Sequence, residues 1–299
     1  MIFFGAFQLF GARLFLCAII FNMAKKEIFK LQNGSDIRGV AVEGVEGESV
    51  NLTEEVARKI GAAFAFWLSI KHKVPTSKIV VGVGRDSRIT GEKLLDAVSE
   101  GLSYEGAKVV DCGMATTPAM FMSCVFEETK FTGSVMVTAS HLPFNRNGIK
   151  FFDINGGLDH ADIAIILEMA ASIVVEKVDG GAGHSKYDLI GRYSRHLRSA
   201  ICSSLGMSES EKPLSGLKIV VDSGNGASGF FATDVLEPLG ADTTGSQFLE
   251  PDGMFPNHIP NPENGEAMEA IQTATVRNKA DLGLIFDTDV DRMSAVLPD

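Results

Sequence analysis

Five short apolar runs, each stopping at a glycine or a polar cluster, alternate along this chain with stretches of helical period. They occupy residues 78–84, 108–111, 134–137, 217–222 and 281–286. Runs of this length bounded by turn residues read as buried strands. Between them lie patterns that read as helices. Behind Thr53 and Glu55, the residues Val56, Ile60, Ala63, Phe64 and Trp67 recur on one helical face. Further helices are expected over about 90–105, from Thr117 as cap with Pro118 at the first helical position, near 161–175, and over 187–205. Strand and helix in alternation predict an α/β chain, with sheets layered between helices.

Two such units are expected. A length of 299 residues with 45% apolar content supplies two packed cores. Gly180-Gly181-Ala182-Gly183-His184-Ser185 has no apolar period and reads as a linker, dividing the chain into 27–185 and 186–299. Residues 1–26 form an apolar N-terminal extension. Through residue 22 its only charge is Arg13, which leaves too short an uninterrupted run to span a bilayer. No positive charge precedes the run as in a secretory signal, and Met23-Ala24-Lys25-Lys26 reads as an alternative start. An upstream extension without structural role, an organelle-targeting segment and a docked helix are the readings it allows.

The formal charge, 27 minus 38 or −11, argues against a nucleic-acid partner, and no membrane partner is indicated. Any phosphate ligand must therefore be met by local cations or a metal. Cys17, Cys112, Cys124 and Cys202 fit neither a zinc pattern nor a disulfide framework, so a reducing, cytoplasmic setting is the simplest expectation.

Chemistry concentrates in a few loops. After the strand 134–137, Thr138-Ala139-Ser140-His141-Leu142-Pro143 and Phe144-Asn145-Arg146-Asn147-Gly148-Ile149-Lys150 gather a hydroxyl, an imidazole, a guanidinium and an ammonium. Proline and Asn-Gly hold that backbone in a loop at a strand's carboxyl end, where open α/β sheets place ligands. Asn33-Gly34-Ser35-Asp36-Ile37-Arg38-Gly39 sets Arg38 between turns from which its planar fork can reach a phosphate. Arg85 and Arg88, following the strand 78–84, have two equal readings: facing a phosphate, or supporting a loop. The strand 281–286 ends in Asp287-Thr288-Asp289-Val290-Asp291-Arg292. Three carboxylates at alternate positions need a compensating cation, and a hard divalent ion such as magnesium takes oxygen ligands.

Rival motifs can be tested on the residues. An EF-hand wants Gly and Glu where Arg292 and Pro298 stand. An aspartate-nucleophile phosphatase fits Asp287-Thr288-Asp289, but only eight residues follow Asp291. Gly224-x-Gly226-x-x-Gly229 after a strand supports dinucleotide binding, although Asp242 precedes the place where a second strand would begin. Four prolines within 251–263 make that stretch a stiff, defined loop.

Taken together, Thr138-Ala139-Ser140-His141-x-Pro143, Asn147-Gly148-Ile149-Lys150, the Ile-Arg-Gly of residues 37–39, Pro251-Asp252-Gly253-x-Phe255-Pro256 and the triple-aspartate segment resemble the α-D-phosphohexomutases, the phosphoglucomutase/phosphomannomutase family. The resemblance runs from about Phe29 onward and departs at Leu142, usually Asn, and Thr288, usually Gly. It implies two consecutive α/β/α layered domains with mixed sheets flanked by helices, corresponding to the family's first two domains. The third and fourth domains are absent from this sequence, so the chain alone is expected to be inactive or poor as a mutase.

The resemblance implies that Ser140 carries a phosphoryl group that it exchanges with a hexose phosphate through a hexose bisphosphate. Magnesium would be held by Asp287, Asp289, Asp291 and the Ser140 phosphate. Lys150 and Arg38 would handle charge and protons, His141 would support the loop, and Thr138 and Arg292 would attend the phosphate. A two-domain, non-catalytic phosphosugar- or magnesium-binding regulator is the competing class. Glucose, mannose and glucosamine are not distinguished by these residues, nor is an oligomeric state.

Overall fold

The computed structural model describes residues 26–176 and 185–298. The N-terminal extension up to residue 25, and the linker apart from Ser185, lie outside the described residues.

The first sheet is built from β1 (Gln32–Asn33), β2 (Asp36–Val40), β3 (Val80–Arg85), β4 (Lys108–Met114), β5 (Gly133–Val137), β6 (Arg146–Asp153), β7 (Gly156–Gly157) and β8 (Ser185–Lys186). Its order is β1-β2-β6-β5-β3-β4-β8, with β7 on β6. β5, β3, β4 and β8 run parallel, whereas β6 is antiparallel to both β5 and β2, so the sheet is mixed. Successive side chains leave opposite faces of a strand. Val81, Val83, Val135, Val137 and Phe151 therefore point to one core, with Met136 and Phe152 on the other side.

Helices α1 (Glu54–His72), α2 (Gly91–Tyr104) and α4 (His160–Ser172) close the first face. Thr53 caps α1 by accepting from the Val56 amide. On the opposite face lie α3 (Thr117–Val125) and α5 (Leu189–Leu205). The cap of α3 is Thr116, whose hydroxyl accepts from Ala119 N, and not Thr117 as the sequence suggested. Adjacent threonines give the same capping signal; the second is employed elsewhere.

The second sheet has the order β11-β10-β9, made of β9 (Ile219–Asp222), β10 (Leu282–Phe286) and β11 (Met293–Val296). β9 and β10 are parallel and β11 is antiparallel, so this sheet is mixed too. Helix α6 (Gly265–Asn278) packs Ala267 and Ile271 on Val220 and Ile285. The other face buries Ile219, Val221, Leu284 and Phe286 against Ala232 and Leu236. The segment after β9 is not an α-helix: a π-helical turn, Phe231–Leu236, runs into a short 3-10 turn at Glu237–Leu239 that contains Pro238. Proline cannot donate to the preceding turn, which stops the helix early.

α5 joins both units. Leu189 lies in the second core of the first sheet, Tyr193 packs against that core and meets Phe230, and Arg198 donates to the Asp234 carbonyl at 2.6 Å. Among the described residues, no helix is long and apolar enough to cross a membrane.

The proline-rich stretch 251–263 forms no helix or strand and is fixed by His258. Its Nε2 lies 3.0 and 3.1 Å from the two Asp222 oxygens, and its Nδ1 lies 3.0 Å from the Ile259 carbonyl. Two acceptors facing two ring nitrogens fit the imidazolium form. Burial is the largest influence and opposes that charge, but the hydrogen bonds that the ring donates to Asp222 and Ile259, together with the Asp222 charge, outweigh it and raise the His258 pKa.

Two outcomes follow from this packing. α1 and α2 touch backbone to backbone: a Cβ on Gly101 would stand 1.9 Å from the Arg58 carbonyl oxygen. Gly101→Ala should thus lower the urea midpoint, because overpacking costs about 1–3 kcal/mol or more and outweighs the roughly 1 kcal/mol gain in helix propensity. A raised midpoint would contradict the contact. For His258, a raised folded-state pKa means its stabilisation is complete below the unfolded value and is lost as pH rises through the folded one. Melting measured from pH 6 upward should show that loss, and His258→Gln should flatten it while costing about 2 kcal/mol at low pH.

Candidate active site

Strands β3, β5 and β10 end side by side, and the residues just beyond their carboxyl ends meet. β5 delivers Thr138 to Ser140. The Thr138 hydroxyl accepts from the Ser140 amide at 2.8 Å and donates to Asp86 at 2.6 Å. Ser140 takes a left-handed backbone, φ 51°, a conformation uncommon for residues other than glycine. This turns its hydroxyl away from the sheet toward the end of β10. There Ser140 Oγ lies 2.7 Å from Asp287 Oδ2 and 2.6 Å from Arg292 Nη2.

The loop is held chiefly by one side chain. The Arg88 guanidinium donates to the carbonyls of Leu142 at 2.6 Å, Pro143 at 2.8 Å and Arg146 at 2.9 Å, and also to that of Ser140. Arg88 is 2% exposed. Its backbone amide bonds Asp86 Oδ1 at 3.0 Å, which ties the two charges together at the end of β3. Burial raises the Asp86 pKa and lowers that of Arg88, and each charge works against the other's shift. Of the two readings of Arg88, facing a phosphate or supporting the loop, the structure selects support.

The three aspartates follow β10. One oxygen from each of Asp287, Asp289 and Asp291 lies within 4.8 Å of the others. Asp287 and Asp289 are fully buried. Lys150, which faces Met136 across the β5–β6 ladder, donates to Asp289 at 2.9 Å and Asp291 at 2.6 Å. Burial works against its ammonium, yet these two anions hold the Lys150 pKa above the ordinary lysine value. Asp287 and Asp289 shift in opposite directions. Burial and the neighbouring carboxylates raise Asp287, against Ser140 and Arg292; Asp289, despite burial, is pulled down by Lys150 and by Thr117.

Thr117 had no place in the expected site. Its hydroxyl donates to Asp289 Oδ2 and its amide to the Asp289 carbonyl at 2.9 Å, so the first turn of α3 is fastened to the aspartate loop. Val290, between two of the aspartates, has φ 66°, an outlier for a β-branched residue. Asp289 Oδ1 is buried with no hydrogen-bond partner. A bare, buried carboxylate oxygen beside two further carboxylates suits an oxygen-seeking divalent cation, so this donor set fits magnesium.

Arg38 comes from the first sheet's edge. It donates to the Thr138 carbonyl at 3.0 Å and to Asp36 at 2.8 Å. With Asn33, Ser140, His141, Lys150, Asp291 and Arg292 it lines an open cleft of about 420 Å³. Arg292 Nη2 donates to His141 Nδ1, which makes that nitrogen an acceptor. Burial and the nearby Arg292 and Arg38 lower the His141 pKa, so the ring is neutral. The structure thus brings every expected site residue together, with Thr138, Asp287 and Asp289 beneath the cleft floor.

The glycine-rich loop does not offer a dinucleotide cradle, which corrects that reading. A Cβ on Gly224 would lie 2.9 Å from Pro260, one on Gly226 2.9 Å from Thr288, and one on Gly229 2.4 Å from the Leu249 carbonyl. The close approach that these glycines permit is taken up by the protein's own Pro260, Thr288 and Leu249.

Arg88 supplies a direct check. Arg88→Lys retains the charge but cannot span four carbonyls, and should cost about 2–4 kcal/mol in chemical denaturation. Amide hydrogen exchange should rise in residues 140–146 while α1 and α2 stay protected. Unchanged exchange there would sever Arg88 from the loop.

Comparison with known proteins agrees with this geometry. The family described as phosphoglucomutase/phosphomannomutase, alpha/beta/alpha domain I, matches residues 30–173, and its domain II matches residues 192–299. A phosphoglucomutase of Neisseria gonorrhoeae is 31% identical over 277 residues, covering 92% of this chain and 54% of the relative. A phosphoglucosamine mutase of Corynebacterium jeikeium is 33% identical over 277 residues, 89% of this chain and 56% of its own. The crystal structure of a phosphoglucomutase/phosphomannomutase family protein from Burkholderia thailandensis superposes with a TM-score of 0.71 at 28% identity, covering 91% of this chain and 55% of that one. The chain spans about half the length of the curated relatives it matches. With both domain signatures present in order, it belongs to the phosphoglucomutase/phosphomannomutase family.

Proposed function

We propose that these two domains form the phosphoryl-carrying half of a phosphohexomutase, with Ser140 as the carrier. The observation that supports this best is the pairing of a buried, conformationally constrained serine hydroxyl with Asp287 at 2.7 Å and Arg292 at 2.6 Å, across 147 and 152 residues of chain. The phosphoseryl P–O bond would break as a sugar hydroxyl attacks phosphorus, leaving a hexose bisphosphate. After that bisphosphate turns over, its other phosphoryl would return to Ser140.

Arg292 and Arg38 face the place where the phosphoryl oxygens would sit, and Thr138 fixes the Ser140 backbone beneath it. Lys150, held cationic, would offset charge on the transferred group and orient the attacking hydroxyl. His141, neutral, accepts from Arg292 and keeps that guanidinium turned to Ser140. Asp287, Asp289 and Asp291 with a Ser140 phosphate oxygen would hold magnesium, whose chemistry is electrostatic stabilisation of the transferring phosphoryl. The substrate class is a hexose phosphate, in keeping with what the relatives are named for. Described cysteines Cys112, Cys124 and Cys202 are free and buried, which supports a reducing, cytoplasmic setting.

The test uses this chain with magnesium and glucose 1,6-bisphosphate, reading phosphate on the Ser140 peptide by mass spectrometry. One phosphoryl group there is expected, absent in Ser140→Ala. Asp289→Asn should slow its appearance on the order of 100-fold. No transfer with magnesium binding intact would favour the non-catalytic phosphosugar- or magnesium-binding regulator instead.

A further inference from the structure

The aromatic contact of Arg88 points to a role for the proline-rich loop. Arg88 spends its two terminal nitrogens in the plane, on four carbonyls of the Ser140 loop. Its Nε has no hydrogen-bond partner. The guanidinium carbon lies over the ring of Phe255, from the other domain, 5.3 Å from its centroid. A cation over an aromatic face is attracted to it and screened from water, so Arg88 cannot move away from Phe255 without losing that contact.

Considerable structure goes into placing that ring. Phe255 has φ 50°, a left-handed backbone for a bulky residue. Two residues earlier, Gly253 lets the chain lie directly on the strand end of the first domain: a Cβ there would stand 2.4 Å from Ile89 N and 2.6 Å from the Ser87 carbonyl. Asp252 closes the turn, accepting from Met254 N through its side chain at 2.9 Å and from Phe255 N through its carbonyl at 3.0 Å. Asp252 N in turn bonds the Asn225 carbonyl at 2.9 Å, and the Asn257 side chain bonds Asn225 Oδ1 at 2.8 Å. Two residues beyond Asn225, Ala227 N bonds the carbonyl of Thr288 in the aspartate loop at 2.9 Å.

We infer that Phe255 is a positioning residue, which fixes the Ser140 loop of the first domain by capping Arg88 from the second. The glycine-rich loop 223–229 then serves as a strut with the aspartate loop on one end and the Phe255 turn on the other. For its catalytic consequence the inference rests on the phosphoseryl reading; for its structural content it does not.

The test compares Phe255→Leu, which keeps apolar bulk without a π face, with Phe255→Tyr, which keeps the face. Hydrogen exchange and single-turnover transfer from glucose 1,6-bisphosphate to Ser140 are both measured. In the leucine variant, exchange in residues 140–146 should rise about 5- to 10-fold, between the factors expected for losing an exposed and a fully desolvated cation–π contact. The maximal transfer rate should fall by a similar factor, at an unchanged half-saturating bisphosphate concentration and unchanged exchange in α6. The tyrosine variant should restore both. Leucine and tyrosine variants that match each other, or exchange raised throughout the second domain, would overturn the inference. If the unsubstituted chain accepts no phosphoryl group, the mutase reading fails, and the exchange comparison still decides the role of Phe255.

Discussion

Three carboxylates at alternate positions beyond one apolar strand repel one another, and two of them are removed from water altogether. Burying even one uncompensated carboxylate is costly. Much of the surrounding fold can be read as the means of offsetting that cost. Lys150 bridges Asp289 and Asp291, Arg292 turns back on Asp287, and Thr117 reaches across from α3. These partners come from two separate parts of the first domain, β6 and α3, and from the aspartate loop itself. The second domain's functional loop is therefore not stable in its present shape as an independent feature. It is completed by cations and a hydroxyl that belong largely to its neighbour.

The same electrostatics explains why the serine is presented as it is. Asp287, the carboxyl group raised by burial and by its neighbours, is the one in contact with Ser140 Oγ, while Asp289, paired with Lys150, is kept ionised. Carboxylates of identical type thus shift in opposite directions: both are buried, but Asp289 has Lys150 and Thr117 beside it, whereas at Asp287 burial and the neighbouring carboxylates outweigh Ser140 and Arg292. A cation on the bare Asp289 oxygen would join an arrangement already biased toward anionic ligands.

The elements most legible in the sequence were those where local pattern and tertiary packing agree. Strands such as β5 and β10 are largely apolar and almost wholly buried because both faces are covered, and α1 shows its buried face plainly. The reactive loop and the aspartates were legible because residue types needed for chemistry stood in short, dense motifs. What local pattern could not show was reach across the chain. Thr117 has the ordinary signature of a cap, and its bond to Asp289 spans 172 residues. Arg88 gave no sign, apart from its place after a strand, of whether it faced ligand or backbone; only its burial decides. The glycine spacing of 224–229 imitates a nucleotide loop because both uses demand close backbone approach, here to Thr288, Leu249 and Pro260. α5 follows the linker, and sequence order says nothing about which core its Leu189 enters.

The distance along the chain between Ser140 and Asp287 also sets an order in time. The last strand of the first sheet ends at Lys186, 101 residues before Asp287 (287 − 186), so during synthesis at about 5–20 residues per second the first sheet can precede its partner by roughly 5–20 s. Throughout that interval Ser140 has neither Asp287 nor Arg292 beside it. A nascent first domain is in this sense chemically silent: it folds around a hydroxyl whose environment is delivered only with residues 287–292.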